Sequence, residues 1–85
     1  LREVNCPVLA INGSKDLQVP AKPNLQAIEK ALKNGKNPRA NFVEFENLNH
    51  LFQECDTGLP SEYGSITQTI SPKVLEKMAQ WIDSI

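Results

Sequence analysis

After a short polar lead, the chain enters a continuous apolar run, Cys6-Pro7-Val8-Leu9-Ala10-Ile11-Asn12, that stops at Gly13. Successive strand side chains point to opposite faces, so unbroken apolarity with β-branched Val8 and Ile11 suits a strand covered on both. An interior strand is predicted. Turn formers follow in Asn12-Gly13-Ser14-Lys15-Asp16, and Val19-Pro20-Ala21-Lys22-Pro23 stiffens the path beyond them. From Pro23 the period becomes helical: Leu25, Ile28 and Leu32 share a face flanked by Ala27 and Ala31, while Gln26, Glu29, Lys30 and Lys33 face outward. Pro23 suits the first helical position and Gly35 the residue after the cap, with Lys30 and Lys33 complementing the carboxyl end of the dipole.

Asn37 to Asn41 reads as a loop, and Phe42-Val43-Glu44-Phe45-Glu46 as a second strand whose alternation turns one face to water near a sheet edge. Strand, helix and strand make a βαβ unit with a right-handed crossover, so the strands are expected to run parallel. From 47 to 70 no period holds, and a connection of that length is expected to carry function or short helical turns. Ser71-Pro72 reads as N-cap and first helical residue. Val74, Leu75, Met78, Ala79, Ile82 and Ile85 then recur at helical spacing with Trp81 at the margin, predicting a last helix that docks one apolar face and runs to the chain end. The fold class is α/β, a βαβα unit with two parallel strands and two main helices. No repeat, low-complexity tract or linker divides residues 1–85.

Eighty-five residues allow at most one domain with a small core, burying about 60–65% of the unfolded surface. Nine Lys and Arg are interspersed with ten Asp and Glu for a net charge of −1, which lacks the footprint of a nucleic-acid or anionic-membrane binder. The longest apolar stretch, Pro7 to Ile11, is far short of the roughly 20 residues of a membrane span. Neither nucleic acid nor a membrane span is expected. The chain starts at Leu1, without an initiator Met or a targeting segment, which suggests a piece of a longer polypeptide. Cys6 and Cys55 are too few for a disulfide framework and are expected as free thiols packed like small apolar side chains. Nothing sets the compartment.

Parallel sheets gather the loops at the carboxyl ends of their strands along one edge, where active sites sit. Asp16 lies four residues past Asn12, and His50, the single His, four past Glu46, so the two are expected within reach of each other. A carboxylate beside an imidazole fixes its tautomer and stabilises its protonated form, making a general base. Plainer roles stand beside this: Asp16 as a turn-stabilising Asx residue, His50 as a polar loop residue. Ser14 and Ser65 sit in no nucleophile elbow. His50, Glu54, Cys55 and Asp56 hold too few Cys and His for structural zinc, and no metal or cofactor is expected. Met78 and Trp81 read as helix-face packing, and Tyr63 takes no role.

The string from Pro7 through Gly13-Ser14-Lys15-Asp16 to Val19-Pro20 resembles the α/β-hydrolase segment in which a strand ends in Gly-x-x-Asp with Val-Pro close behind. Leu48-Asn49-His50-Leu51-Phe52 resembles the loop that delivers the catalytic His in those enzymes. The stretch from Ser71-Pro72 to Trp81-Ile82 is similar to their C-terminal helix. The likeness covers nearly the whole chain, yet only the last two strands and helices of an eight-stranded fold. It implies Asp16 as triad acid and His50 as triad base, in the order Ser, Asp or Glu, His. The chain departs from the family in having no Gly-x-Ser-x-Gly: Gly13, Gly35, Gly58 and Gly64 are followed two positions on by Lys15, Asn37, Pro60 and Ile66. The nucleophile and oxyanion hole then lie elsewhere, and these residues alone are expected to be inactive. The resemblance thus implies the C-terminal part of a serine hydrolase, esterase or peptidase, acting on esters or related acyl compounds. Its partner would be the rest of the domain. The alternative is a non-catalytic α/β module that self-associates or binds a protein, since a two-stranded parallel sheet leaves its edges and much of its apolar face uncovered.

Overall fold

The structure, a computed structural model, describes residues 3–85. Strand β1 (Val8–Gly13), helix α1 (Ala21–Asn34), strand β2 (Ala40–Phe45) and helix α2 (Pro72–Ser84) follow in chain order, with a 3₁₀ turn at Pro60–Ser65 before α2. The strands pair in parallel, in register from Val8↔Ala40 to Gly13↔Phe45. The chain is a small mixed α/β fold of two parallel strands and two main helices.

The ladder opens with Val8 N–H donating to Arg39 O at 2.8 Å, which starts β2 at Ala40, two residues before the aromatic run. Cys6 stays outside because its carbonyl accepts from Asn37 Nδ2 at 2.9 Å. The expectation of a packed thiol fails there, since Cys6 is exposed; Cys55 is half-buried, and both are free. At its far end β2 stops at Phe45, and Glu46 leaves the strand as Asn47 turns with φ 63°.

Helix α1 begins at Ala21 with Pro20 as cap, so Pro23 is the third helical residue rather than the first. That position still suits proline, because the N–H groups of a first turn have no intrahelical acceptor. At the carboxyl end Gly35 is the cap, with φ −83°, and the left-handed residue after it is Lys36, φ 59°. Lys36 N–H donates to Lys33 O at 2.9 Å and Asn37 N–H to Leu32 O at 3.0 Å, a Schellman closure completed by a lysine.

Helix α1 packs on both strands, and its Asn24 bonds to Asn12, which puts it on the sheet face of Ala10 and Asn12. On the other face Leu9 and Ile11 share a cleft with Met78, Trp81 and Ile82 of α2. The core is Ala10, Ala21, Leu25, Leu32, Leu48 and Val74. Ser71 caps α2 as expected, its Oγ accepting from Lys73 N–H at 3.3 Å. The apolar stripe of α2 is largely undocked: Val74 is buried, but Leu75, Met78, Ile82 and Ile85 are exposed. Two strands about 5 Å apart are too narrow to cover a helix about 20 Å long. No helix among the described residues is long and apolar enough to cross a membrane.

Candidate active site

The site is assembled where the two strands end together, Gly13 opposite Phe45. A Cβ on Gly13 would stand 2.3 Å from Leu48 O and 2.8 Å from Asn49 O, so the backbone leading to His50 lies directly on the end of β1. Three hydrogen bonds join the loops: Ser14 N–H to Phe45 O at 2.8 Å, Lys15 N–H to Leu48 O at 2.9 Å and Asn47 N–H to Ser14 Oγ at 2.8 Å. Ser14 thus accepts a loop hydrogen bond.

Asp16 follows three residues past Gly13 and His50 five past Phe45, and this stitching brings their side chains together. His50 Nδ1 lies 3.0 Å from Asp16 Oδ2. The other carboxylate oxygen, Oδ1, accepts from Gln18 N–H at 2.9 Å and Val19 N–H at 2.8 Å. The turn role and the imidazole-partner role are therefore held by separate oxygens of one side chain. The Asp16 side chain is 6% exposed and that of His50 36%, so the carboxylate is shielded while the ring keeps access to solvent. Burial pushes the Asp16 carboxyl up, but the Val19 N–H, His50 and the Gln18 N–H together outweigh it and hold the group below its ordinary value. An ionised acceptor at Nδ1 favours the tautomer with the proton on Nδ1 and the lone pair on Nε2. Nε2 takes no hydrogen bond within the described residues.

Two buried asparagines frame the pair. Asn49, fully buried, accepts at Oδ1 from Leu51 N–H and Gln53 N–H, both at 3.0 Å, and donates from Nδ2 to Gln53 Oε1 at 3.0 Å. This closes the backbone around His50 and supports the left-handed Phe52, φ 58°. Asn12, 3% exposed, sits on the Asp16 side. Neither was picked out by residue pattern, although a polar residue ending an apolar run and an Asn directly before the lone His are signals that could have pointed to them.

The connection to α2 is held mainly by polar contacts. Glu62 accepts from the backbone N–H groups of Asp56, Thr57 and Gly58, and these bonds hold its carboxyl below the usual range. Gln53 Nε2 donates to Gln68 O at 2.9 Å, and Ser71 N–H donates to Phe52 O at 2.7 Å, tying the start of α2 to the His50 loop. Ser65 Oγ donates to Glu62 O at 2.8 Å within the 3₁₀ turn that also contains Tyr63. Among the described residues no cluster of His, Cys, Asp and Glu is arranged to hold a metal. Compared with family models, curated proteins and solved structures, the chain matches none.

Proposed function

We propose that this chain supplies the acid and base of a Ser-His-Asp triad in a serine hydrolase of the α/β-hydrolase type, acting on carboxylic esters or related acyl compounds. The observation that supports the reading is the 3.0 Å approach of Asp16 Oδ2 to His50 Nδ1 at the carboxyl ends of two parallel strands. With Nδ1–H directed to Asp16, Nε2 takes the proton of the attacking serine and returns it to the leaving alcohol. Asp16 orients the ring and stabilises the imidazolium between these steps. Water then cleaves the acyl-enzyme. The serine and the oxyanion-hole donors come from outside these residues, because no Gly-x-Ser-x-Gly occurs among them. Alone, the chain turns over no substrate.

The test uses a polypeptide that joins these residues to a Gly-x-Ser-x-Gly segment. A fluorophosphonate probe labels that serine, and His50→Ala lowers kcat on an activated ester by on the order of 10⁴-fold or more with little change in KM. Undiminished turnover in His50→Ala refutes the reading. The second reading, a module that self-associates or binds a protein, is favoured by the exposed α2 stripe and by the outer edges of both strands, which pair with no further strand among the described residues. It leads to concentration-dependent association indifferent to His50→Ala, and a well-folded monomer in sedimentation counts against it.

A further inference from the structure

We propose that Asn12 is a positioning residue that fixes where Asp16 presents its carboxylate to His50. This rests on the reading of Asp16 and His50 as acid and base. Asn12 lies in β1, 3% exposed, on the sheet face covered by α1. Its Nδ2 donates to Val19 O at 2.9 Å and stands 3.4 Å from Asp16 Oδ2, the oxygen that faces His50. Its Oδ1 accepts from Asn24 Nδ2 at 2.7 Å, in the first turns of α1. The orientation is unambiguous, because the Val19 carbonyl can only accept and the amide must turn its NH₂ toward it. Asn12 therefore ties together the helix, the far end of the Asp16 turn and the Oδ2 atom. The two backbone bonds hold Oδ1, at the turn side of the carboxylate, and neither of them touches Oδ2. The Asn12 amide is the remaining contact, besides His50, that holds Oδ2 in place. Burial at the end of β1 is tolerated for this amide because its donor and its acceptor are both engaged, which also fixes the side chain in one orientation.

The readout is the tautomer ratio of the neutral His50 ring in the ¹⁵N-labelled chain, taken by NMR at a pH above its titration. His50 is the single histidine, so the two ring nitrogens are read without overlap. The wild type favours Nδ1–H. Asn12→Leu lowers the ratio of Nδ1–H to Nε2–H about fivefold, the equilibrium change that one hydrogen bond supports. Asn24→Ala, which removes the anchor and keeps the Asn12 side chain, lowers it about twofold. Val74→Ala, a buried change in α2, reduces stability and leaves the ratio unmoved, which separates positioning from general loosening. An unchanged ratio in Asn12→Leu, with the fold verified by circular dichroism, overturns the proposal. Should that variant fail to fold, an unchanged ratio in Asn24→Ala overturns it equally. A wild type without Nδ1–H preference counts against the Asp16–His50 pair itself and removes this role with it. Serine labelling alongside a ratio insensitive to Asn12 removes the positioning role alone.

Discussion

The carboxyl ends of the strands and the exposed side of α2 are built on opposite principles. At the strand ends Asn12, Asp16, Asn49, Gln53 and Ser71 are all buried, and each has a hydrogen-bond partner within the chain. Along α2 the side chains are those of a buried helix, yet Val74 alone is fully buried, and Trp81 Nε1 is buried without a hydrogen-bond partner among the described residues. Unmet polar groups in the interior are costly, and uncovered apolar stripes mark surfaces meant for contact. The difference teaches that the strand ends satisfy their buried polar groups within these residues, whereas the α2 side has apolar surface left over.

The sharpest way to break the first half of that contrast is Gly13→Ala. The added Cβ meets backbone atoms of Leu48 and Asn49 at 2.3 to 2.8 Å, which no side-chain rotation relieves. A loss of about 3 kcal/mol in urea unfolding is expected, and an unmoved midpoint would mean that the loops are not locked backbone to backbone. Asn49→Ala comes next, at about 2 kcal/mol, because it strands two inward N–H groups. The pH dependence of stability gives a smaller effect of defined sign. Asp16 is held below its ordinary value of 3.8, so its contribution is present above that pH and is lost as pH falls through the lowered native value. Asp16→Asn should flatten the acid limb of the stability profile relative to wild type. The parallel contributions of Glu54 and Glu62, also held low, remain in both proteins. The smallest effect sharpens the second half: Leu75→Lys and Ile82→Lys, at residues 51% and 59% exposed, should alter stability by less than about 0.5 kcal/mol. A loss above about 1 kcal/mol would show that the stripe is covered in the chain's own fold.

Each region was legible in the sequence to the degree that its structure depends on near neighbours. The apolar run at Val8 to Ile11, the helical spacing of Leu25, Ile28 and Leu32, and Ser71-Pro72 before α2 were readable because period and capping are local. The meeting of Asp16 with His50 was readable one step further, since parallel strands bring their following loops to one edge. The segment from 47 to 70 resisted because Glu62, Gln68 and Asn49 order it through hydrogen bonds, which impose no apolar period. Lys36 in the left-handed position was hidden because a Schellman closure tolerates a residue whose intrinsic preference lies elsewhere.

Residue order was enough for the βαβα layout, the parallel strands and the identity of the one Asp and one His at their ends, since each follows from short-range periodicity and the handedness of the crossover. Folding added the division of labour between the two oxygens of Asp16, the burial of Asn12 and Asn49 around the pair, and the exposure of the α2 stripe. Those depend on contacts between residues 30 or more positions apart and on the width of a two-stranded sheet, quantities that exist once the chain has closed on itself.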